Sequence, residues 1–403
     1  MKRTRTARSG EAALRIAIVC HPTFGGSGAV AAELAVALGA RGHRVHVFSY
    51  ARPFRLPDHA PGVRFHEVQV TSYPLFKYPP YSMSLAAQLV DAYRREPFDL
   101  IHAHYAVPHA ACAYLARSIL HREASLRIVT TLHGTDTVLL GLDRSFFEVT
   151  RFSLQESDGV TAVSRELALR SRRVFHLPRA VRVIPNFVDT DFYTPARRDP
   201  QARVRLGEPG EALIGHVSNF RDIKRIPDVV RVFHAVQREV PARLILMGEG
   251  PELEPARVLA SALGIEERVS FLGATRDVAS VLPQLDVFLL PSEYESFGLS
   301  ALEALSSGVP VVASRVGGLP EVVEQGKSGF LEPVGAVRAM ARRVVQLLRH
   351  PARLAAMREA ARASAVDRFP VARVVARYEA LYRRTLRQPR RLECGASAPR
   401  GFA

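Results

Sequence analysis

Short apolar runs alternate with longer amphipathic stretches from near Arg15, and the alternation starts afresh near Leu213. No other feature constrains this chain as strongly. Runs of about four to six apolar residues read as strands, and longer stretches with apolar residues three and four apart read as helices. In the first half the strands are expected at Ile16–Cys20, Val45–Tyr50, Phe65–Val70, Leu100–Tyr105, Ile128–His133, Val160–Val163 and Val181–Ile184. Helices are expected between them at Val30–Ala40, Ser84–Arg95, His109–His121, Phe146–Glu156 and Arg165–Phe175. A polar, Pro-rich stretch from Asp189 to Pro200 interrupts the pattern. It resumes with strands at Leu213–Val217, Arg243–Met247, Val269–Leu272, Val287–Leu290 and Pro310–Ala313. The matching helices are Asp228–Arg238, Glu252–Leu263, Gly298–Ser306 and two Arg/Ala-rich stretches after Gly335. Strand–helix repetition of this kind predicts parallel sheets covered by helices on both faces. The economical reading is α/β with two doubly wound, Rossmann-like units facing across a cleft, a favoured place for a ligand. The expected boundaries are a basic tail 1–14, a first unit 15–187, a second unit 188–366, a last helix 367–387 packing back toward the first, and a tail 388–403.

The net charge of +16 suggests nucleic acid until it is located. Residues 1–15 carry +4 and residues 383–403 carry +5, more than half of the total, so the body between them is only mildly basic. No basic–aromatic platform or RNA-binding motif is present, and nucleic acid is not an expected partner. The basic ends read as solubilising tails or as a weak contact with an anionic surface. Three widely spaced cysteines, without zinc or redox spacing, fit a reducing cytoplasm. No apolar run reaches membrane-spanning length, so stable membrane insertion is not expected. A homodimer is compatible with the sequence, which does not specify it.

The chemistry gathers at expected strand ends. The stretch Pro291-Ser-Glu-Tyr-Glu-Ser-Phe-Gly-Leu-Ser-Ala-Leu-Glu-Ala304 sets Glu295 and Glu303 eight residues apart around a turn that opens a helix. Were both helical, their Cα atoms would stand roughly 12 Å apart along the axis. A retaining glycosidase pair needs about 5 Å between carboxyl groups, so the two acids suit separate hydroxyls of one extended ligand. Equally, Ser292-x-x-Glu295 fits a capping box, with Glu303 an ordinary helix-surface acid. The turn His21-Pro-Thr-Phe-Gly-Gly-Ser-Gly28 lets backbone N–H groups meet an anion at a helix N-terminus, or is simply a tight β–α turn. His133 suits a sugar hydroxyl or a developing charge, or is a buried structural residue. His102 and His104 share one strand face, and with no third ligand in sight structural roles are expected for them. The loop Ser218-Asn-Phe-Arg-Asp-Ile-Lys-Arg225 holds three cations that suit a diphosphate, or is a solvated basic loop. Gly248-Glu-Gly-Pro251 and Gly317-Gly-Leu-Pro-Glu321 repeat the strand-end theme.

Taken together, these motifs make the chain resemble the retaining glycosyltransferases of family 4, which have the GT-B fold. Glu295-x7-Glu303 looks like that family's signature, and Gly25-Gly26, His133-Gly134, Lys224, Gly308-Val-Pro310 and Gly317–Glu321 fall where the family has matching elements. Longer runs, among them Phe76–Tyr81, Ile101–Ala110, Thr130–Asp136 and Val217–Arg221, are similar to the branch that transfers N-acetylglucosamine from UDP-GlcNAc to the hydroxyl of L-malate, opening bacillithiol biosynthesis. The resemblance implies an acceptor-binding first unit and a donor-binding second unit. It implies Glu303 on the ribose hydroxyls and Glu295 on the sugar, helped by the backbone amides of Phe297, Gly298 and Leu299. Lys224, with Asn219 or Arg221, would face the diphosphate. Gly26 would approach the β-phosphate and His133 would sit beside the transferred sugar. Many relatives have Arg where Asn219 aligns, and Arg221 is the residue here that can supply that charge. His133, Glu295 and Lys224 would carry catalysis by positioning and charge stabilisation, with neither a cofactor nor a metal. For the malate carboxylates the candidates are Ser27, Tyr105, Thr131 and Arg151, with Lys77 in reserve; Arg151 can also be read as a surface helix residue. Rival readings keep the fold and change the acceptor to a lipid or an inositol phosphate, or make the chain a non-catalytic nucleotide-sugar binder.

Overall fold

The computed structural model describes residues 12–23, 26–70, 80–121, 123, 125–141, 143–274 and 277–389. Gly25, Lys77 and nearly all of the two terminal tails lie outside the described residues. Among the described residues the strands form two sheets, and every ladder in them is parallel. The first sheet comprises β1 (Arg15–Val19), β2 (Arg44–Ser49), β3 (Val63–Glu67), β4 (Leu100–His104), β5 (Arg127–Leu132), β6 (Gly159–Ala162) and β7 (Arg182–Val183), in the order β3-β2-β1-β4-β5-β6-β7. The second comprises β8 (Ala212–Val217), β9 (Ala242–Met247), β10 (Val269–Gly273), β11 (Val287–Leu290), β12 (Val311–Ser314) and β13 (Gly329–Glu332), in the order β10-β9-β8-β11-β12-β13. Both orders reverse direction beside their first strand, at β1/β4 and at β8/β11. That reversal opens a crevice at the carboxyl ends of those strands.

The central strands are apolar along their length because helices cover both faces: Ile16, Ala17, Ile18 and Val19 of β1 are all fully buried. One apolar cluster runs through both units beneath the cleft. It joins Leu132, Leu167 and Phe175 of the first to Phe288, Phe297 and Leu319 of the second. The helix Val371–Arg387 belongs in packing to the first unit. Its Val374, Val375, Tyr378, Leu381 and Tyr382 share a core with Ile16, Ile18, Leu34 and Val45. Arg383, Arg384 and Arg387, counted in sequence as part of a basic tail, are residues of this helix. The two chain crossings between units lie side by side, where Val188 pairs with Pro370 and its N–H donates to the carbonyl of Phe369 at 3.1 Å. Strand β13 is absent from the sequence expectation; Gly329-Phe-Leu-Glu332 offers only two successive large apolar residues, too few for a periodic signal. No helix among the described residues is long and apolar enough to cross a membrane.

Candidate active site

The carboxyl ends of β1, β4 and β5 face those of β8 and β11 across the cleft. After β1 the chain turns at Gly26, the N-cap of the helix Ser27–Ala40, with φ of 61°. Among the described residues nothing lies within 4 Å of a side chain added there, which leaves room beside the start of the helix. Ser27 is buried and its Oγ donates to Tyr105 Oη at 3.1 Å. Tyr105, just past β4, holds φ of 93°, which a bulky residue adopts only under local constraint. Its N–H donates to the Thr131 carbonyl at 3.1 Å. Burial raises the Tyr105 phenol pKa, and Asp136 adds to that; among the opposing influences is the charge of Arg221, reaching it from the second unit.

His133 follows β5, buried and stacked on His104 with ring centroids 5.1 Å apart. Burial, reinforced by His21, lowers its pKa to about 3, so at neutral pH the ring is uncharged. Hydrogen bonding fixes the tautomer. His133 Nε2 lies 2.9 Å from His104 Nδ1, and the other nitrogen of His104, Nε2, is buried with no partner among the described residues. A bare lone pair there costs less than an orphaned N–H. His104 therefore carries its proton on Nδ1 and donates it to His133. The proton of neutral His133 is then on Nδ1, available to a ligand oxygen. Asp136 anchors this corner, accepting from Ala106 N at 2.8 Å and from His133 N at 3.4 Å.

In the second unit, the loop after β8 carries Asn219, Arg221 and Lys224. Asn219 and Arg221 are exposed, and Lys224 ends a short 3-10 turn just before Arg225, another non-glycine residue with positive φ, 53°. Lys224 Nζ reaches Glu295 Oε1 at 2.5 Å, and Ser292 Oγ donates to the same oxygen at 2.9 Å. Glu295 lies in the loop after β11, before the helix Leu299–Ser306 that begins at the left-handed Gly298. Ser292 thus holds a loop carboxylate and caps no helix. Glu303 sits within that helix and is only 3% exposed, which removes the reading of it as a surface acid. Its Oε1 accepts from Arg55 Nη2 at 2.6 Å, and Tyr193 Oη also hydrogen-bonds the carboxylate.

The other glycine turns contribute by letting loops pack. A Cβ on Gly317 would lie 1.9 Å from the carbonyl oxygen of Glu295, and Gly318 N donates to that oxygen at 2.8 Å. The Gly248–Gly250 turn backs Ser218 and Phe220 in the same way. Glu321, last of the Gly317 motif, reaches the first unit, where its Oε1 accepts from the N-terminal amides of the helix Arg165–Val174, Arg165 N at 2.7 Å and Glu166 N at 3.2 Å.

The structure thus brings together Gly26, Ser27, Tyr105 and His133 on one wall, and Arg221, Lys224, Glu295, Phe297, Gly298, Leu299 and Glu303 on the other. Two expected residues stand apart. Thr131 is fully buried and its hydroxyl is shared between His102 Nε2 and Thr161 Oγ1, each at 2.7 Å, leaving nothing for a ligand. Arg151 pairs with Glu148 one turn back on its own helix, at 2.8 Å. Arg55 and Tyr193 went unnoticed in sequence, and Glu321 was marked only as part of its glycine motif, because their partners are distant along the chain; nothing in Arg52-Pro-Phe-Arg55 signals a meeting with residue 303. Among the described residues no set of three His, Cys, Asp or Glu side chains is placed to hold a metal ion.

Comparison with known proteins agrees with this geometry. Residues 24–192 match the family model described as Glycosyltransferase Family 4, and residues 199–364 match Glycosyl transferases group 1. The chain is 42% identical over 376 residues to N-acetyl-alpha-D-glucosaminyl L-malate synthase of Bacillus anthracis, covering 93% of this chain and 98% of that protein. Among solved structures it superimposes on sucrose-phosphate synthase from Thermosynechococcus elongatus with a TM-score of 0.78 at 24% identity, covering 92% of this chain and 98% of that one. Anabaena HepE in complex with UDP and glucose gives 0.75 at 21% identity, covering 91% and 99%. The shared architecture is GT-B.

Proposed function

The chain belongs to glycosyltransferase family 4, and from that premise we propose that it moves N-acetylglucosamine from UDP-GlcNAc to the hydroxyl of L-malate, with retention at the anomeric carbon, as the first step of bacillithiol biosynthesis. The observation that carries this reading is the 42% identity to the Bacillus anthracis synthase along nearly the whole of both chains. The cleft supplies groups of the chemistry required.

Transfer breaks the bond from the anomeric carbon to the β-phosphate oxygen and forms one to the malate hydroxyl oxygen. The hydroxyl proton passes to the departing phosphate on the same face. The barrier is lowered wherever fixed charge meets the leaving diphosphate. Lys224 and Arg221 do this from one side, and the amides at Gly26 and at Phe297–Leu299 from the two helix N-termini. These charges serve in place of a metal ion. When the diphosphate draws Lys224 away, Glu295 is released toward the sugar hydroxyls. His133, neutral and with its proton on Nδ1, donates to the sugar and takes no part as an acid. Ser27 and Tyr105 meet malate from the first unit. Arg151, paired with Glu148 on its own helix, stands outside this set. Thr131 acts only through the backbone, by placing Tyr105. The buried thiols Cys20 and Cys112 suit a reducing cytoplasm, where we place the reaction.

The test is an acceptor screen with UDP-GlcNAc, reading UDP release and product mass. L-malate should give the glycoside, and Glu295→Ala should abolish it. Turnover with an inositol phosphate and none with malate would reassign the acceptor.

A further inference from the structure

Arg55 lies in the loop between β2 and β3, far in sequence from every motif of the site. Its guanidinium nevertheless joins the two walls. Nη1 donates to Glu33 Oε1 at 2.6 Å, while Nη2 donates to Glu303 Oε1 at 2.6 Å and to Tyr193 Oη at 2.9 Å. Glu33 belongs to the helix Ser27–Ala40 and Glu303 to the helix Leu299–Ser306, one from each unit, and both helices begin at the cleft. The Arg55 and Glu303 side chains are 18% and 4% exposed, so the pair is largely shielded from solvent.

Shielded carboxylates need partners, and these two repel each other across the interface: burial raises the pKa of Glu33 despite Arg55, and Glu303 raises it further. A planar fork can satisfy both at once in a fixed geometry, which a freely rotating ammonium does not impose. A carboxylate also accepts about four hydrogen bonds. Arg55 and Tyr193 use two of those positions on Glu303 and fix its plane, leaving about two for a vicinal diol.

We propose that Arg55 is a positioning residue for the nucleotide ribose, holding Glu303 oriented to accept the 2′- and 3′-hydroxyls and tying that carboxylate to the first unit through Glu33. This rests on reading Glu303 as the ribose partner. Ribose recognition and the approach of the two units are thereby one event, because the same guanidinium serves both.

The experiment measures dissociation constants of UDP and of 2′,3′-dideoxy-UDP, by calorimetry, for the unaltered protein, Arg55→Gln, Arg55→Lys and Glu303→Gln. Arg55→Gln is expected to weaken UDP about tenfold and to leave dideoxy-UDP unchanged, which also reports an intact fold. Arg55→Lys keeps a cation without the fork and should fall between, again for UDP alone. Equal weakening of both nucleotides by Arg55→Lys, or no weakening of UDP by either variant, overturns the proposal. If Glu303→Gln discriminates between the nucleotides and the Arg55 variants do not, only the role of Arg55 fails. If Glu303→Gln does not discriminate, the ribose reading fails and the proposal with it.

Discussion

Five imidazoles crowd the ends of β1, β4 and β5, and their electrostatics belongs to the residue scale. His21 and His109 lie 4.3 Å apart between ring centroids, His102 and His104 4.4 Å, and His104 and His133 5.1 Å. Burial lowers the pKa of His102, His109 and His133 to about 3, and that of His104 well below its ordinary value. An unfolded histidine binds its proton near pH 6.5, so between there and about pH 3 the unfolded chain holds more protons than the folded one. Their stabilising contribution is full above pH 6.5. It is lost as the pH falls, by up to about 1.4 kcal/mol per pH unit for each group. Asp136, raised to about 7 by burial, works the other way, its contribution being lost as the pH rises through 7. Four histidines outweigh one aspartate. Denaturant titrations from pH 7 to pH 5 should therefore show falling stability, and His109→Gln should make the fall shallower. Parallel slopes for the two proteins would refute this account. At this scale the sequence marked His133 and the paired glutamates as places of interest, which the structure sets around one cleft. It could not tell Ser292 as a helix cap from Ser292 as a partner of Glu295, because that distinction depends on where the helix begins, and Gly298 decides it.

Loops are the elements that make the cleft, and they were legible in position more than in purpose. Strand ends could be found from the period of apolar residues, whereas the reason for Gly317 lies in the carbonyl of Glu295, which no local pattern reveals. Gly134 is the most exacting case. It holds φ of 115°, and a Cβ there would come within 2.7 Å of Ser296 Cβ on the opposite wall. Gly134→Ala adds backbone strain of about 1–3 kcal/mol and, more consequentially, wedges the His133 loop away from the Glu295 loop. Turnover should fall at least tenfold, since displacement of about 1 Å at a positioned group can cost a hundredfold. Adding Ser296→Gly should restore much of the turnover and none of the melting temperature. A double variant no faster than Gly134→Ala would show that the contact with Ser296 is not the cause.

Across the whole molecule, the restart of strand–helix alternation was plain from sequence, and two parallel sheets of reversed order follow from it. What stitches them was not plain: Arg55 to Glu303, Glu321 to the helix Arg165–Val174, and the last helix against the first sheet all join residues more than a hundred positions apart. The last of these has the largest stake in stability. Tyr378 and Tyr382 are among the most deeply buried large side chains, and Tyr382 Oη lies 2.8 Å from His102 Nδ1. Truncating the chain after residue 370 would strip these two rings, with Val374, Val375 and Leu381, from one core, an aromatic ring alone being worth about 3–5 kcal/mol. Hydrogen exchange should then show β1, β2 and β4 unprotected while β8, β9 and β11 stay protected. Undiminished protection in β1 would contradict the dependence.

That dependence also fixes an order of events during synthesis. Residues 212–332 supply an entire sheet in one continuous stretch and can organise as they leave the ribosome. The sheet made earliest must wait for the helix Val371–Arg387, with the part of its apolar face that the helix Ser27–Ala40 does not cover left open while some two hundred further residues are added. Nascent chains of this protein carry their greatest exposure to aggregation at the amino-terminal end, and a chaperone that shelters that end has the most to protect.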